Sequence, residues 1–297
     1  MPIIAQHVPI YEEILALPEV VGDPVLSWGV TKIKIPDFFR KPWAELSIRE
    51  KVIKLHQLLL HNLPWTVSDE FAHPDLGALL QARGVKTIDI LDWYDGRANL
   101  RLDMNQPVAV ELHDRYRMFI DIGCLEHVFD TRQCIENCMR MVAPGGHYVL
   151  CTPVSGWVGH GFHTFDPKGL GLALTLNGFK VVYQRYTTRE GRILERPKGD
   201  TLIWLVGRKL RPMDEFNIPQ QDYWWGDFFG TSPSPQAQPE KTPSGKANES
   251  IPARVRATGA DLISIANGDA TGANIASRVN PDNGPKASIK VSGPRVQ

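Results

Sequence analysis

The chain has no C-x-x-C pair, no excess of charge of either sign, no G-x-G-x-x-G run and no apolar stretch of membrane-spanning length. Its four cysteines, Cys124, Cys134, Cys138 and Cys151, lack the paired spacing of a structural zinc site. Cys134 and Cys138 share a predicted helix face with Ile135, Met141 and Val142, so they read as small buried residues of a reducing compartment. Lysine plus arginine and aspartate plus glutamate both total 33. That balance gives no support for a polyanion, and no nucleic-acid partner is expected. The opening Met1-Pro2-Ile3-Ile4-Ala5 lacks a basic region and a long apolar core. The expectation is a cytoplasmic protein with no secretory signal and no membrane partner. No internal repeat is present, and no oligomeric state is assigned.

What is present is an alternation of strand and helix signals. Residues 1–19 read as a loose helical lead-in with Tyr11 to Leu17 as its core. Val25 to Gly29 is a short buried strand closing on glycine. Ala44 to Leu63 reads as an amphipathic helix, with Ile48, Val52, Leu55 and Leu59 at helical spacing and Pro64 beyond its end. A helix over about Pro74 to Arg83 stops at Gly84, and Val85 to Leu91 is the next strand. Arg101 to Asp103 is a minimal strand, and Met118 to Ile122 an apolar one. Asp130 or Thr131 caps a helix running to about Val142. Pro144-Gly145-Gly146 turns the chain into the strand His147 to Cys151, and Asp166-Pro167 opens a helix that Gly178 stops. Phe179 to Tyr186 and Thr201 to Val206 read as a final antiparallel pair. The predicted class is α/β, a Rossmann-like, mostly parallel seven-stranded sheet with helices on both faces and a terminal antiparallel hairpin. The main domain spans 20–210. An aromatic docking segment, 211–230, carries Tyr223-Trp224-Trp225-Gly226-Asp227-Phe228-Phe229. Residues 231–297, rich at first in Pro, Ser, Gln, Lys and Glu, read as a disordered tail.

Parallel sheets bind ligands beyond the carboxyl ends of their strands, so those ends hold the candidates. Gly29 follows the first strand, either for close backbone passage past a ligand or as a simple strand-ending turn. Asp89, with Asp92 as the alternative, offers a carboxylate to a ribose diol. Asp103 either binds a ligand or caps the turn before Pro107. The fourth position, Asp121-Ile122-Gly123-Cys124-Leu125-Glu126-His127-Val128, has an apolar entry and a polar exit. His127 serves there as a general base or as a cap for the following helix. Gly159-His160-Gly161-Phe162-His163 forms a rim in which His160 and His163 are general bases or acceptor-binding groups. Metal ligation is the lesser reading of those histidines, and no metal is assigned.

Taken in order, Asp103 to Pro107, Leu125-Glu126-His127-Val128-Phe129, Val142 to Gly146 and Gly159 to Phe162 resemble the class I S-adenosylmethionine-dependent methyltransferases, over roughly Val20 to Lys209. The resemblance is to a subgroup whose first glycine loop is reduced, here to the single Gly29. It implies S-adenosyl-L-methionine as cofactor and a small-molecule or sugar-like methyl acceptor. It implies cofactor contacts at Gly29, Asp89, Asp103, Met104, Gly123 and Cys124, with Asp103 on the adenine amino group and Met104 along the ring. It further implies catalytic roles for His127, His160 and Glu126, and substrate contacts at Phe162 and His163. The rival reading keeps the fold but gives it a binding or scaffold role without turnover.

Overall fold

Residues 201–209, TLIWLVGRK, hold an unbroken apolar run over 202–206, which is the signature of a strand buried on both faces. In the computed structural model, which describes residues 2–61 and 67–219, they form the interior strand of a seven-stranded sheet. In chain order the strands are β1 (Val25–Trp28), β2 (Ile88–Leu91), β3 (Tyr116–Ile122), β4 (Val142–Ser155), β5 (Phe179–Thr188), β6 (Ile193–Leu194) and β7 (Thr201–Lys209). Their spatial order is β2-β1-β3-β4-β7-β5-β6. The first four pair in parallel, and β7, β5 and β6 add on antiparallel. The sheet is therefore mixed, with a parallel half and an antiparallel end. The predicted strand at Arg101 to Asp103 reduces to one parallel bridge, Leu91 to Leu100.

Alternation along the strands sends side chains into two cores. Val25, Met118, Ile120, Val149 and Trp204 point to one side; Leu26, Phe119, Tyr148, Leu150 and Leu205 point to the other. Helices α1 (Val8–Leu15) and α3 (Leu76–Ala82) cover the first side, and α4 (Thr131–Met141) and α5 (Pro167–Leu176) cover the second. Local chemistry sets their ends. Asp75, Asp130 and Asp166 each accept a hydrogen bond from a first-turn backbone N–H at their helix N-termini. The buried Lys209 ammonium donates to the carbonyls of Met139 and Val142 at 2.9 and 2.7 Å, satisfying the C-terminal end of α4.

Two expectations are corrected here. The lead-in is not loose: Val8, Ile10, Tyr11 and Ile14 are all in the first core, and Tyr11 meets Trp204 edge-on at 5.4 Å. The helix α2 (Ile48–His61) starts at a Ser47–Glu50 capping box, but its apolar stripe faces outward. Ile48 is 83% exposed and Leu59 74%. Lys54 turns inward instead, its ammonium donating to the carbonyls of Phe39 and Lys41 at 3.3 and 3.5 Å. Leu58 packs beside it on the first core. The extension of α2 to Leu63, the aromatic cluster Tyr223 to Phe229 and the tail 231–297 lie outside the described residues. Within 211–219, Met213 and Phe216 pack on the second core. No helix among the described residues is long and apolar enough to cross a membrane.

Candidate active site

The chain runs from β1 outward to β2, then returns to place β3 on the other side of β1. That reversal opens a crevice at the carboxyl ends of β1 and β3, the place where open α/β sheets take ligands. A glycine stands at each lip: Gly29 after β1 with φ +74° and Gly123 after β3 with φ +77°. Both conformations suit glycine and strain other residues. The Gly29 N–H donates to the Leu91 carbonyl at 2.8 Å, and the Cys124 thiol lies 3.6 Å from the Trp28 carbonyl. Burial and the neighbouring Asp121 carboxylate raise the Cys124 thiol well above its ordinary value, so it remains a neutral donor.

Beside these glycines lies a cleft of about 400 Å³. Its walls are Trp28, the Leu91–Tyr94 turn, the Leu102–Asn105 segment, and His127 with Val128. Three carboxylates were candidates for it, and they have different fates. Asp89 is buried inside β2 and spent within the fold. Its Oδ2 accepts from Tyr116 Oη at 2.7 Å and Arg115 Nη2 at 3.0 Å, and its Oδ1 accepts from Asn99 Nδ2 at 2.6 Å. Asp92, one residue beyond the strand, lines the cleft in its stead. Its Oδ1 accepts from the backbone N–H groups of Tyr94 and Asp95, and its Oδ2 lies 3.5 Å from where a Gly29 Cβ would be. Asp103 also lines the cleft, and hydrogen bonds from the Asn105 side chain and backbone hold its carboxyl below the ordinary value. Met104 lies beneath, nearly fully buried. Sequence reasoning missed what fixes this segment. Buried Asn137 of α4 donates to the carbonyls of Met104 and Gln106 and accepts from the Val108 N–H.

His127 belongs to two walls. It closes one side of the cleft and also lines a smaller pocket of about 260 Å³ with Gly159, His160, Gly161 and Phe162. Behind it, in the 3₁₀ turn Leu125–His127, Glu126 is 1% exposed. Thr152 Oγ1 donates to Glu126 Oε2 at 3.0 Å. Glu126 Oε1 stands 3.9 Å from His127 Nε2 and 3.7 Å from His160 Nε2. The two imidazole rings meet edge to face, 5.0 Å between centroids. Below this group Asp121 is fully buried, and burial first and Glu126 second push its carboxyl up to about 7.

The loop that carries His160 is tightly fixed. Gly161 passes so close that an added Cβ would lie 2.8 Å from the Glu126 carbonyl oxygen. That carbonyl accepts from the N–H groups of Phe162 and His163 at 2.8 and 3.2 Å. Trp157, at φ +57°, sets its ring at a tilt 4.8 Å from His160 and donates its backbone N–H to Asp200 Oδ1. A bulky residue held at positive φ is strain kept in place by its surroundings. His163 takes a different place from its expected partners: its Nε2 lies 3.0 Å from the Phe129 carbonyl, latching the rim. Phe162 and Phe129 meet edge to face at 5.6 Å and stay largely exposed.

No protein-family model matches the chain, and no curated protein matches it. Solved structures do. A 1,6-didemethyltoxoflavin-N1-methyltransferase from Burkholderia thailandensis, with 1,6-didemethyltoxoflavin and S-adenosylhomocysteine bound, is 16% identical; the match covers 46% of this chain and 66% of that one, with a TM-score of 0.34. The N-methyltransferase NodS from Bradyrhizobium japonicum is also 16% identical, over 46% of this chain and 81% of that one, with a TM-score of 0.33. An S-adenosylmethionine-dependent methyltransferase from Mesorhizobium loti is 15% identical, over 69% of this chain and 98% of that one, again with a TM-score of 0.33. The chain thus spans just under two thirds of the first of these structures.

Proposed function

We propose that this chain is an S-adenosyl-L-methionine-dependent methyltransferase acting on a small-molecule or sugar-like acceptor. One observation carries the reading. Trp28 and Asp92 come from two strand ends and the Asp103–Met104 pair from the loop after β2, yet they enclose one cleft whose far wall is His127. The chemistry of these groups suits an adenosyl ligand. Asp92 Oδ2 is the acceptor for a ribose diol, Asp103 the acceptor for the adenine amino group, and Met104 with Trp28 the apolar surface for the ring. Gly29 and Gly123 admit the chain of the ligand at the crevice lip. The cofactor, when bound, supplies an electrophilic methyl group on a sulfonium centre.

The protein's own work is alignment, water exclusion and proton handling. The Gly159–Phe162 loop, pinned to the Glu126 backbone, roofs the acceptor end. The Glu126–His127–His160 group sits where the acceptor's proton must be accommodated. Titration of the full chain with S-adenosylhomocysteine by calorimetry tests the reading. A single saturable site, weakened by Asp103→Ala in a chain that stays folded, is expected. No heat and no melting shift at millimolar ligand would remove the methyl-donor reading and leave a binding module on this fold.

A further inference from the structure

Glu126 presents an unusual arrangement for a buried carboxylate. One oxygen is held by Thr152, while the other faces two imidazole nitrogens that are too far away to donate to it. A cation seated among the three groups would pair with that oxygen and with both imidazoles. Glu126 Oε1 and one ring nitrogen each of His127 and His160 all lie within 4.8 Å of one another. Side-chain rotation that draws the three atoms together by up to about an ångström brings them to the roughly 2.0–2.2 Å of nitrogen and oxygen bonds to a zinc-like ion.

We infer that Glu126, His127 and His160 form a site for a divalent first-row transition-metal ion at the acceptor end of the cleft. Two imidazoles and one carboxylate select such an ion over magnesium or calcium, which take all-oxygen shells. The ligands come from two segments, and each is fixed. The Glu126 carboxylate is oriented by Thr152. His127 follows it on the same 3₁₀ turn. His160 is set by the Gly161 contact and by the Trp157 ring. Gly123 leaves the space beside Oε1 clear, since a Cβ there would lie 3.3 Å from that oxygen. Three protein ligands leave the ion open toward the pocket lined by Gly159, Gly161 and Phe162, as in metal sites that keep a position for water or substrate. The open position fits an acceptor oxygen, such as a hydroxyl. The histidines then hold the ion, and the ion makes the bound hydroxyl more acidic. The acceptor role rests on the proposed methyl transfer; the ion site does not.

The test uses the full chain, stripped with a chelator and titrated with Co(II) while its visible d–d bands are followed. The expected result is one Co(II) per chain, displaced by Zn(II). His160→Ala, a partly exposed position whose loss spares the core, should weaken binding at least ~10-fold. His73→Ala, outside the cluster, should leave it unchanged. Absence of a Co(II) complex, or equal affinity in folded His160→Ala, overturns the site. S-adenosylhomocysteine is titrated into the same stripped protein. Cofactor binding without cobalt binding removes the metal site alone. Cobalt binding without cofactor binding removes the methyl-donor reading and leaves the metal site standing.

Discussion

The Thr152 hydroxyl on β4 donates to Oε2 of Glu126 at 3.0 Å, across 26 residues of chain. The bond joins the middle of the sheet to the turn that carries His127. It also fixes which carboxylate oxygen faces the two histidines. Thr152→Val keeps the shape and deletes the donor. Leaving a buried carboxylate oxygen unpaired costs about 1–3 kcal/mol, more for a charged group. The variant should therefore melt lower, and its Co(II) affinity should fall about 10-fold. S-adenosylhomocysteine affinity should hold, because Thr152 does not line the larger cleft. An equal loss of both affinities would show that the substitution acts through general loosening.

Asp89 and Asp92 give the sharpest contrast. Asp92→Asn should weaken S-adenosylhomocysteine about 10-fold or more in calorimetry, with little change in melting, because its carboxylate lines the cleft. Asp89→Asn should do the reverse. It breaks the Arg115 ion pair and disturbs hydrogen bonds from Tyr116 and Asn99, a buried network whose disruption costs a few kcal/mol. A cofactor loss confined to Asp89→Asn would return the ribose role to that residue.

The same pair explains what the sequence could and could not say. Strands, caps and stops were legible because they are local: Asp130 and Asp166 cap, Gly84 and Gly178 reverse the chain at φ +93° and +81°. Choosing between Asp89 and Asp92 needed the strand's phase. Asp89 shares a face with Leu91, which is buried in the second core, while Asp92 is the first residue past the last apolar position. Alternation alone held that clue. Glu126, His127 and His160 were each visible as candidates, but their convergence depends on a loop folding back 34 residues later. The outward stripe of α2 was illegible for a different reason. Its apolar spacing predicts burial, yet the carbonyls of Phe39 and Lys41 draw Lys54 inward. That choice rests on contacts with a segment outside the helix.

Acid stability should report His147. It is 1% exposed on β4, and burial first, with Arg208 and Arg117 next, lowers its pKa from 6.5 to about 4. The unfolded chain then takes up a proton that the folded chain refuses. The stability held above pH 6.5 is lost as pH falls toward 4, by up to about 3 kcal/mol. His147→Gln cannot titrate. In urea unfolding followed from pH 8 to pH 4, the wild type should lose more stability than the variant, and the gap should grow below pH 6.5. Parallel pH curves would rule out His147 as the source.

Gly161 and Gly171 separate crowding from flexibility. Gly171 lies inside α5 with nothing within 4 Å of an added Cβ, so Gly171→Ala should raise stability by about 0.5–1 kcal/mol through helix propensity and a less free unfolded chain. Gly161 has no such room. Its added Cβ would lie 2.8 Å from the Glu126 carbonyl oxygen and 3.1 Å from Glu126 Cγ. The loop must lift, which breaks the Phe162 and His163 hydrogen bonds to that carbonyl and carries His160 away from Glu126. Gly161→Ala should therefore weaken Co(II) binding about as much as His160→Ala does. It should leave S-adenosylhomocysteine affinity near wild type, since Gly161 lines only the smaller pocket. Co(II) titration of the two alanine variants side by side checks this. Wild-type cobalt affinity in Gly161→Ala, beside weakened binding in His160→Ala, would mean that the 159–163 loop does not set the position of His160.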